Sequence, residues 1–295
     1  MPAPLTRQGA VSSGRLAQGL GAIDDTSPVL RIDDADRVRR LTLDRPEALN
    51  AFNEALYAAT AEALREAARD PGVAVLLVTG TGRAFSAGTD VVEMAALASG
   101  PIEEGAGSGF PALVDELVAF PKPLVCAVNG LALGIGATML GLADLVLMSS
   151  EARVRCPFTA LAVAPEAASS VTFPLLMGRQ EATWALLSSE WLSAEDCRRA
   201  GLAWRVCPPD ALLEEAQAVA RHLAAKPLAS LVETKATIVA GLRDGIAAAR
   251  AREDAAYQRL LGTPANLEAF AALAERRDPD FARVDAEHPF TGLGT

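Results

Sequence analysis

The hydrophobic pattern of the first eighty residues predicts two strands separated by a helix. In residues 38–44, VRRLTLD, apolar and polar positions alternate, as they do in a strand with one buried face. Residues 73–80, VAVLLVTG, are apolar almost throughout and rich in β-branched side chains, which is typical of a strand covered on both faces. Two such strands joined by a helix predict a parallel β-α-β crossover.

The helix between these strands has recognisable start and stop signals. Asn53 is a good N-cap, and Asp70-Pro71-Gly72 is expected to end the helix. The positions that share one face are Leu56, Thr60, Leu64 and Ala67.

The alternation of strands and helices continues to about residue 210. Buried strands are predicted at 124–128, LVCAV, and at 144–150, DLVLMSS. Residues 211–285 are rich in Ala, Leu, Arg and Glu with few strand formers, which favours helices. The chain is therefore expected to be an α/β protein. The predicted parts are a flexible tail at 1–27, a core at 28–210, a helical region at 211–285 and a second tail at 286–295.

One uncharged run is long enough to span a bilayer. Residues 123–143 contain 21 consecutive uncharged side chains. The turn dipeptide Asn129-Gly130 interrupts the run, Gly134 and Gly136 follow, and no basic cluster flanks it. This pattern favours a buried strand, a turn and a buried helix, and no membrane association is expected.

Composition narrows the functional classes. The chain has 295 residues with 51% hydrophobic content, enough for a substantial core, and its net charge of −10 disfavours nucleic acid as a partner. Its four cysteines form no C-x-x-C pair, which argues against a structural zinc site and fits a reducing compartment. The excess of Arg over Lys and the many Ala residues favour a bacterial cytoplasm. The Gly- and Ser-rich residues 99–110 are expected to form a mobile loop.

Several familiar chemistries lack their residues. No phosphate-binding G-x-x-x-x-G-K-[ST] loop is present, and GLALGIG does not fit G-x-G-x-x-G. The segment AFSAG resembles a nucleophile elbow but has Ala84 where the first glycine should stand. His222 and His288 have no neighbours typical of a metal site or a catalytic triad, so no metal is expected.

Two glycine-rich loops remain as candidates for chemistry. They are GTGRAFSAGTD at 80–90 and NGLALGIGA at 129–137, each after a predicted strand. Small residues there let a ligand approach the backbone, and two converging N–H groups would form an oxyanion hole. Ordinary tight turns are the alternative reading of each loop.

Three segments together resemble the crotonase family, the enoyl-CoA hydratase/isomerase superfamily. They are LTLDRPEALNAFN, AVLLVTGTGRAFSAGTDVVEM and FPKPLVCAVNGLALGIGATMLGLADLVL, in this order and spacing. The resemblance implies a spiral core of repeated β-β-α units with a helical C-terminal trimerisation region. It also implies an acyl-CoA thioester as substrate, no cofactor beyond the CoA of that substrate, and a homotrimer or dimer of trimers.

The resemblance also assigns roles to individual residues. The two oxyanion donors fall on the backbone N–H groups of Thr89 and Ile135. The two acids of the family's hydratases fall on Thr138 and Phe158, neither of which can activate water. The substrate contacts fall on Thr138 and Phe158 themselves and on Ser86, Ala87, Gly88, Gly134 and Lys235, the lysine near the CoA phosphates.

Glu166 is the remaining carboxylate in this part of the chain. It lies in CPFTALAVAPEAASS, residues 156–170, and Pro165 to Ser170 resemble the P-E-G-x-S-S-like segment of peroxisomal-type Δ3,Δ2-enoyl-CoA isomerases. The resemblance implies that Glu166 is the single acid/base of an isomerase. Burial would raise its pKa, whereas a helix expected to begin at Glu166 would lower it, so the sign stays open. A hydratase, or an acyl-CoA-binding protein without catalysis, are the alternatives.

Overall fold

The computed structural model describes residues 28–90 and 107–289. The loop predicted at 99–110 lies outside the described residues as far as 106, and Gly109 already begins a helix. The two tails predicted at 1–27 and 286–295 lie outside them as well, except for residues 286–289.

The described part of the chain contains ten strands and eleven α-helices. The strands are β1 (Leu30–Ala35), β2 (Val38–Leu43), β3 (Val75–Gly80), β4 (Ala84–Ser86), β5 (Leu124–Val128), β6 (Leu131–Leu133), β7 (Leu145–Ser149), β8 (Arg153–Arg155), β9 (Leu192–Ser193) and β10 (Arg205–Cys207). The helices are α1 (Glu54–Arg69), α2 (Gly109–Ala119), α3 (Ile135–Thr138), α4 (Ser169–Met177), α5 (Arg179–Leu187), α6 (Ala194–Ala200), α7 (Leu212–Ala224), α8 (Leu228–Ala240), α9 (Arg243–Leu260), α10 (Pro264–Glu275) and α11 (Phe281–Glu287). The four predicted strands and the predicted first helix are confirmed.

From β3 to β8, successive strands alternate between two sheets, and this alternation makes the chain a spiral. One sheet has the order β1-β2-β3-β5-β7-β10 and the other β4-β6-β8-β9. The pairs β3/β4, β5/β6 and β7/β8 each place one strand in each sheet before the chain continues into helical segments. Pairing is parallel from β2 to β10 and from β4 to β8, so the predicted crossover is confirmed. The β-β-α spiral follows.

Helix α1 forms as its sequence indicates. The side chain of Asn53 accepts a hydrogen bond from the amide of Leu56, and Asp70 is the C-cap. The four positions predicted to share a face are all buried: Leu56, Thr60, Leu64 and Ala67. This face packs into the main apolar core between the two sheets and the helices.

The uncharged run at 123–143 is not a single helix. It forms β5, the Asn129-Gly130 turn, β6, the short helix α3 and a 3-10 helix at Met139–Leu142. Among the described residues, no helix is long and apolar enough to cross a membrane. The strand and the turn are confirmed, whereas the predicted helix is only four residues long and β6 was not expected.

The last third of the described chain is helical, from α7 to α11. Helix α7 covers the outer face of the first sheet, where Leu212, Ala216 and Ala220 join a second apolar cluster with strand residues such as Val75 and Val125. Helix α9 instead packs against α4, where Ile246 and Ala249 form a third apolar cluster with Ala168. The C-terminal helices therefore contact both the first sheet and the helix that follows Glu166.

Candidate active site

The sequence-predicted residues meet at one edge of the second sheet. Strands β4, β6 and β8 are parallel neighbours, so their carboxyl ends lie side by side. The chain leaving β4 carries Thr89, the chain leaving β6 carries Ile135 and Thr138, and the chain leaving β8 carries Glu166. In open α/β sheets, ligands bind at the carboxyl ends of the strands. This edge is therefore the candidate active site.

The loops after β4 and β6 touch through two glycines. A Cβ added to Gly88 would lie 2.9 Å from the carbonyl oxygen of Leu133 and 3.6 Å from Cα of Gly134. Gly88 has φ +90° and Gly134 has φ +49°, a region in which side chains are rarely found. Two backbones can approach this closely only because neither residue has a side chain. Thr89 and Ile135 are the next residues along the chain, so their amides both lie beside the contact between Gly88 and Gly134.

The amide of Thr89 points away from the neighbouring segment, which contains Phe52. Gly88 accepts a hydrogen bond from the amide of Phe52 at 2.7 Å, and the amide of Asp90 donates to Phe52 at 2.8 Å. Successive amides of an extended segment point to opposite sides, so the N–H of Thr89 faces the other way. Among the described residues it has no hydrogen-bond acceptor.

The amide of Ile135 is a donor because it begins a helix. Gly134 is the N-cap of α3, and its carbonyl accepts the amides of Ala137 and Thr138 at 2.8 Å each. The first amides of a helix have no partner within the helix. Within residues 28–90 and 107–289, the N–H of Ile135 has no acceptor, so two unpaired backbone donors stand beside the Gly88–Gly134 contact.

Glu166 precedes a helix and does not begin it. Helix α4 starts at Ser169, and Ala167 and Ala168 adopt left-handed conformations with φ of +53° and +60°. The prediction that Glu166 opens the helix is wrong, because these two residues turn the chain before the helix starts. The helix N-terminus is thus separated from the carboxylate by one tight turn.

The carboxylate of Glu166 is linked to the second glycine-rich loop. Its Oε1 accepts a hydrogen bond of 3.0 Å from the hydroxyl of Thr138, the last residue of α3. Thr138 is fully buried, whereas Glu166 is half-buried and keeps some contact with solvent. Because Ile135 begins the same four-residue helix, α3 carries both an unpaired amide and the hydroxyl that binds the carboxylate.

Burial raises the pKa of Glu166 to about 8. The hydrogen bond from Thr138 acts in the opposite direction, since it favours the charged form, and the charge of Glu253 raises the pKa further. The pKa of Glu166 is therefore shifted upward, a direction that the sequence alone left open. A carboxyl group with this pKa can both accept and return a proton near neutral pH.

Aromatic side chains that sequence reasoning missed adjoin the donor loop. The hydroxyl of Tyr57 lies 2.8 Å from Oγ1 of Thr89, and its ring stacks on Phe52 at 4.9 Å. Burial first, and the charge of Glu166 second, raise the pKa of Tyr57, which places it near the carboxylate. Tyr57 lies on α1, in an ordinary helical pattern, so nothing in the sequence marks it.

The small residues predicted to contact the substrate have internal partners. Ser86 is buried, and its hydroxyl accepts the amide of Gly88 at 3.1 Å. The amide of Ala87 donates to Leu49 at 2.9 Å, while the residue is itself half-buried. Phe158 is 4% exposed and belongs to the main apolar core. Any contact of residues 86 and 87 with a ligand would therefore use their carbonyl groups.

Lys235 lies apart from this edge and has structural partners. It is 9% exposed, and its Nζ donates to Oδ2 of Asp144 at 2.7 Å and to the carbonyl of Lys122 at 2.9 Å. The same Asp144 oxygen accepts the amide of Leu124, at the start of β5. Because this ammonium is already paired inside the protein, the geometry favours an anchor between α8 and the first sheet over a contact with CoA phosphates.

No metal site accompanies the carboxylate in the part of the chain that the structure describes. There, no three His, Cys, Asp or Glu side chains are grouped so that they could hold an ion. The four cysteines are free and buried, and burial raises the pKa of Cys126 and Cys197 to about 12.

Known proteins resemble this chain over most of its length. The family model of enoyl-CoA hydratase/isomerase matches residues 33–284. A 1,2-epoxyphenylacetyl-CoA isomerase of Escherichia coli (strain K12) is 36% identical over 248 residues, 83% of this chain and 94% of that protein. Enoyl-CoA delta isomerase 2 of Rattus norvegicus is 37% identical over 203 residues, 67% of this chain and 51% of that protein. The crystal structure of enoyl-CoA hydratase EchA8_6 from Mycobacterium marinum is 60% identical and covers 72% of this chain and 99% of its own, with a TM-score of 0.68.

Proposed function

Because the chain belongs to the enoyl-CoA hydratase/isomerase family, whose substrates are acyl-CoA thioesters, we propose that it is a Δ3,Δ2-enoyl-CoA isomerase. One observation carries the proposal. Glu166 lies at the edge that holds the two unpaired amides, and the residue that contacts its carboxylate, Thr138, occupies a position where the hydratases of this family are expected to hold an acid.

In the proposed reaction the amides of Thr89 and Ile135 hold the thioester oxygen. The carboxylate of Glu166 removes a proton from C2, and the electron pair of that C–H bond forms a C1–C2 double bond as negative charge moves onto the oxygen. Preorganised amides stabilise this charge, and removing one such donor in other enzymes costs about 10²–10³ in rate. The product of this step is a dienolate that spans C1 to C4.

The second step returns the same proton at a different carbon. Protonated Glu166 donates to C4, and the electron pair of the C3–C4 double bond forms the new C4–H bond. The C1–C2 pair of the dienolate moves to C2–C3, and an electron pair on the oxygen re-forms the thioester carbonyl. The two steps together move one proton from C2 to C4 and need neither water nor a second acid. One carboxyl group with a pKa of about 8 serves both steps, because it loses and regains a proton at similar cost near neutral pH.

Hydration is the alternative, and the 60% identical hydratase makes it a serious one. Adding water requires a group that deprotonates or orients the water. At the two positions where the family's hydratases hold acids, this chain has a hydroxyl on Thr138 and a buried ring on Phe158. Neither supplies a base, so the site chemistry favours isomerisation.

The test offers purified protein a 3-enoyl-CoA and a 2-enoyl-CoA in separate reactions. We expect the first to become a conjugated 2-enoyl-CoA, followed by its ultraviolet absorbance, and little hydration of the second. Glu166→Gln should lower the isomerisation rate by about 10²–10⁴ while binding of the thioester persists. Exposed Glu151, changed to Gln, is the matched control and should leave the rate unchanged.

Two other results would contradict the proposal. Hydration that Glu166→Gln leaves undiminished would show that another group activates water. Binding of both thioesters without either reaction would indicate an acyl-CoA-binding protein that lacks catalysis.

We also expect a homotrimer or a dimer of trimers. Helices α4 and α5 expose large apolar side chains, a surface of the kind that subunits bury: Leu175, Leu176, Trp184 and Leu187. Light scattering would measure the assembly against the 30.7 kDa of one chain. A monomer at micromolar concentration would contradict this expectation.

A further inference from the structure

We propose that Glu253 is a positioning residue, which holds the turn that carries Glu166 and places a second negative charge beside it. This inference rests on the proposed role of Glu166 as the acid/base. Glu253 lies on α9, in the helical C-terminal part of the chain, and no motif in the sequence singles it out.

Both oxygens of Glu253 bind the turn after Glu166. Oε2 accepts the amide of Ala168 at 2.7 Å, and Oε1 accepts the amide of Ser170 at 2.8 Å. The side chain is 5% exposed and reaches the turn from 85 residues away in the chain. A buried carboxylate is costly unless its oxygens are hydrogen-bonded, so this contact is specific.

The turn needs such a partner from outside. Ala167 and Ala168 are left-handed without being glycine, a backbone conformation that is strained for a residue with a side chain. The N-cap of α4 is Ala168, whose side chain cannot accept a hydrogen bond from the first amides of the helix. Glu253 supplies the missing acceptor and favours a conformation that two alanines would not adopt alone.

The same turn also fixes the backbone of Glu166. Its carbonyl accepts the amide of Ser169 at 2.9 Å and the hydroxyl of Ser169 at 2.6 Å. Residues 166–170 are therefore held by the hydrogen bonds of Ser169 within the turn and by those of Glu253 on α9. The direction in which the Glu166 side chain leaves the backbone depends on both sets of hydrogen bonds.

Glu253 also differs in charge from the other titratable groups near Glu166. Those groups are Tyr57 on α1, Cys156 after β8 and Tyr257 on α9, and burial raises the pKa of each. They are neutral at physiological pH, whereas the charge of Glu253 raises the pKa of Glu166. Removing that charge is expected to lower the pKa of Glu166.

A purely structural role for Glu253 would have different consequences. Helix α9 is already tied to α2 by the ion pair of Arg250 with Asp115 at 2.7 Å. If Glu253 only added stability, its replacement would lower the melting temperature and leave the pH profile of the folded enzyme unchanged. A positioning residue must alter turnover and the titration of Glu166.

The experiment compares Glu253→Gln and Glu253→Ala with wild type. Glutamine has the same length and keeps one oxygen for one of the two amides, whereas alanine keeps none. We expect kcat for the 3-enoyl-CoA to fall by about 10- to 100-fold in Glu253→Ala and by less in Glu253→Gln, with KM changed little. In both variants the pH at half-maximal kcat/KM should move down. Asp254→Asn, an exposed change one residue away, should leave both quantities unchanged.

A second readout does not need turnover. The carboxyl carbon resonance that disappears in Glu166→Gln reports the titration of Glu166, and its midpoint should move to lower pH in Glu253→Gln. An unchanged midpoint, or wild-type kcat in both Glu253 variants, would overturn the inference. If wild type fails to isomerise, the proposed function fails, and the resonance still decides whether Glu253 sets the titration of Glu166.

Discussion

The hydroxyl of Thr138 donates a hydrogen bond of 3.0 Å to Oε1 of Glu166. Two loops from neighbouring parallel strands are thereby joined through their side chains. The hydroxyl favours the charged carboxylate, and the surrounding burial disfavours it more strongly. The properties of the proposed acid/base thus depend on a residue that has no acid-base chemistry of its own at neutral pH.

The first prediction concerns the pH dependence of catalysis. Because the proposed reaction requires the base form of Glu166 and its pKa is raised to about 8, kcat/KM should increase with pH through a midpoint near 8. Initial rates with a 3-enoyl-CoA across this range measure it. A flat profile between pH 6 and 9 would show that a different group accepts the proton.

The second prediction concerns Thr138→Val. Loss of a hydrogen bond to the charged form should raise the pKa of Glu166, so the midpoint of kcat/KM should move up by about one pH unit. The rate well above the midpoint should be retained. Thr60→Val removes a buried hydroxyl that donates to the carbonyl of Leu56 in its own helix, and it serves as the control. A downward shift in Thr138→Val would contradict the role given to this hydroxyl.

The third prediction concerns stability. Since the folded state raises the pKa of Glu166 from 4.5 to about 8, it binds this proton more tightly than the unfolded chain does. The contribution of Glu166 to the free energy of unfolding is therefore greatest below pH 4.5 and is lost as pH rises towards 8. Glutamine does not ionise, so Glu166→Gln does not lose this stability. The melting temperature of the variant relative to that of wild type should therefore increase between pH 4.5 and about pH 8. Parallel curves would exclude the raised pKa.

The fourth prediction concerns Gly88→Ala. The new Cβ would lie 2.9 Å from the carbonyl of Leu133 at φ +90°, so the loop must shift and carry the amide of Thr89 with it. We expect kcat to fall by about 10²–10³, as for the loss of an oxyanion donor. Gly262→Ala also places alanine at positive φ, +72°, but its Cβ meets no atom within 4 Å. Full activity of Gly88→Ala would remove Thr89 from the proposed donors.

The fifth prediction concerns Lys235→Met. Its ammonium is paired with Asp144, so the change should reduce the free energy of unfolding by about 2 kcal/mol. KM for acyl-CoA should stay the same at temperatures where the variant is folded. Lys226→Met, at an exposed position, should change neither quantity. A large rise in KM for Lys235→Met alone would restore the predicted contact with CoA phosphates.

Much of the spiral could be predicted because a long apolar strand is recognisable from the hydrophobic pattern of its own residues. Strands β3 and β5 are buried on both faces and read as unbroken apolar runs. Strands β4 and β6 have three residues each inside glycine-rich loops, too few for any alternation to stand out. Their pairing comes from neighbours far away in the chain, which no local pattern reports.

The sequence singled out Glu166 as a candidate site residue, but it did not predict which residues surround it. Alanine has the highest helix propensity, so Ala167 and Ala168 favoured a helix beginning at Glu166, whereas the structure turns both residues left-handed. The acceptor that supports this turn is on α9, and the aromatic ring beside Thr89 is on α1. Contacts between such distant segments leave no trace in spacing or composition.

The link between the Glu166 turn and Glu253 has a consequence for biosynthesis. Ribosomes release the chain from its N-terminus at about 5–20 residues per second, so residue 253 emerges roughly 4–17 s after residue 168. Until then the amides of Ala168 and Ser170 must find other acceptors, such as water. The nascent protein can therefore assemble its sheets and its two glycine loops first, and the turn that carries Glu166 gains its buried partner only after residue 253 has emerged.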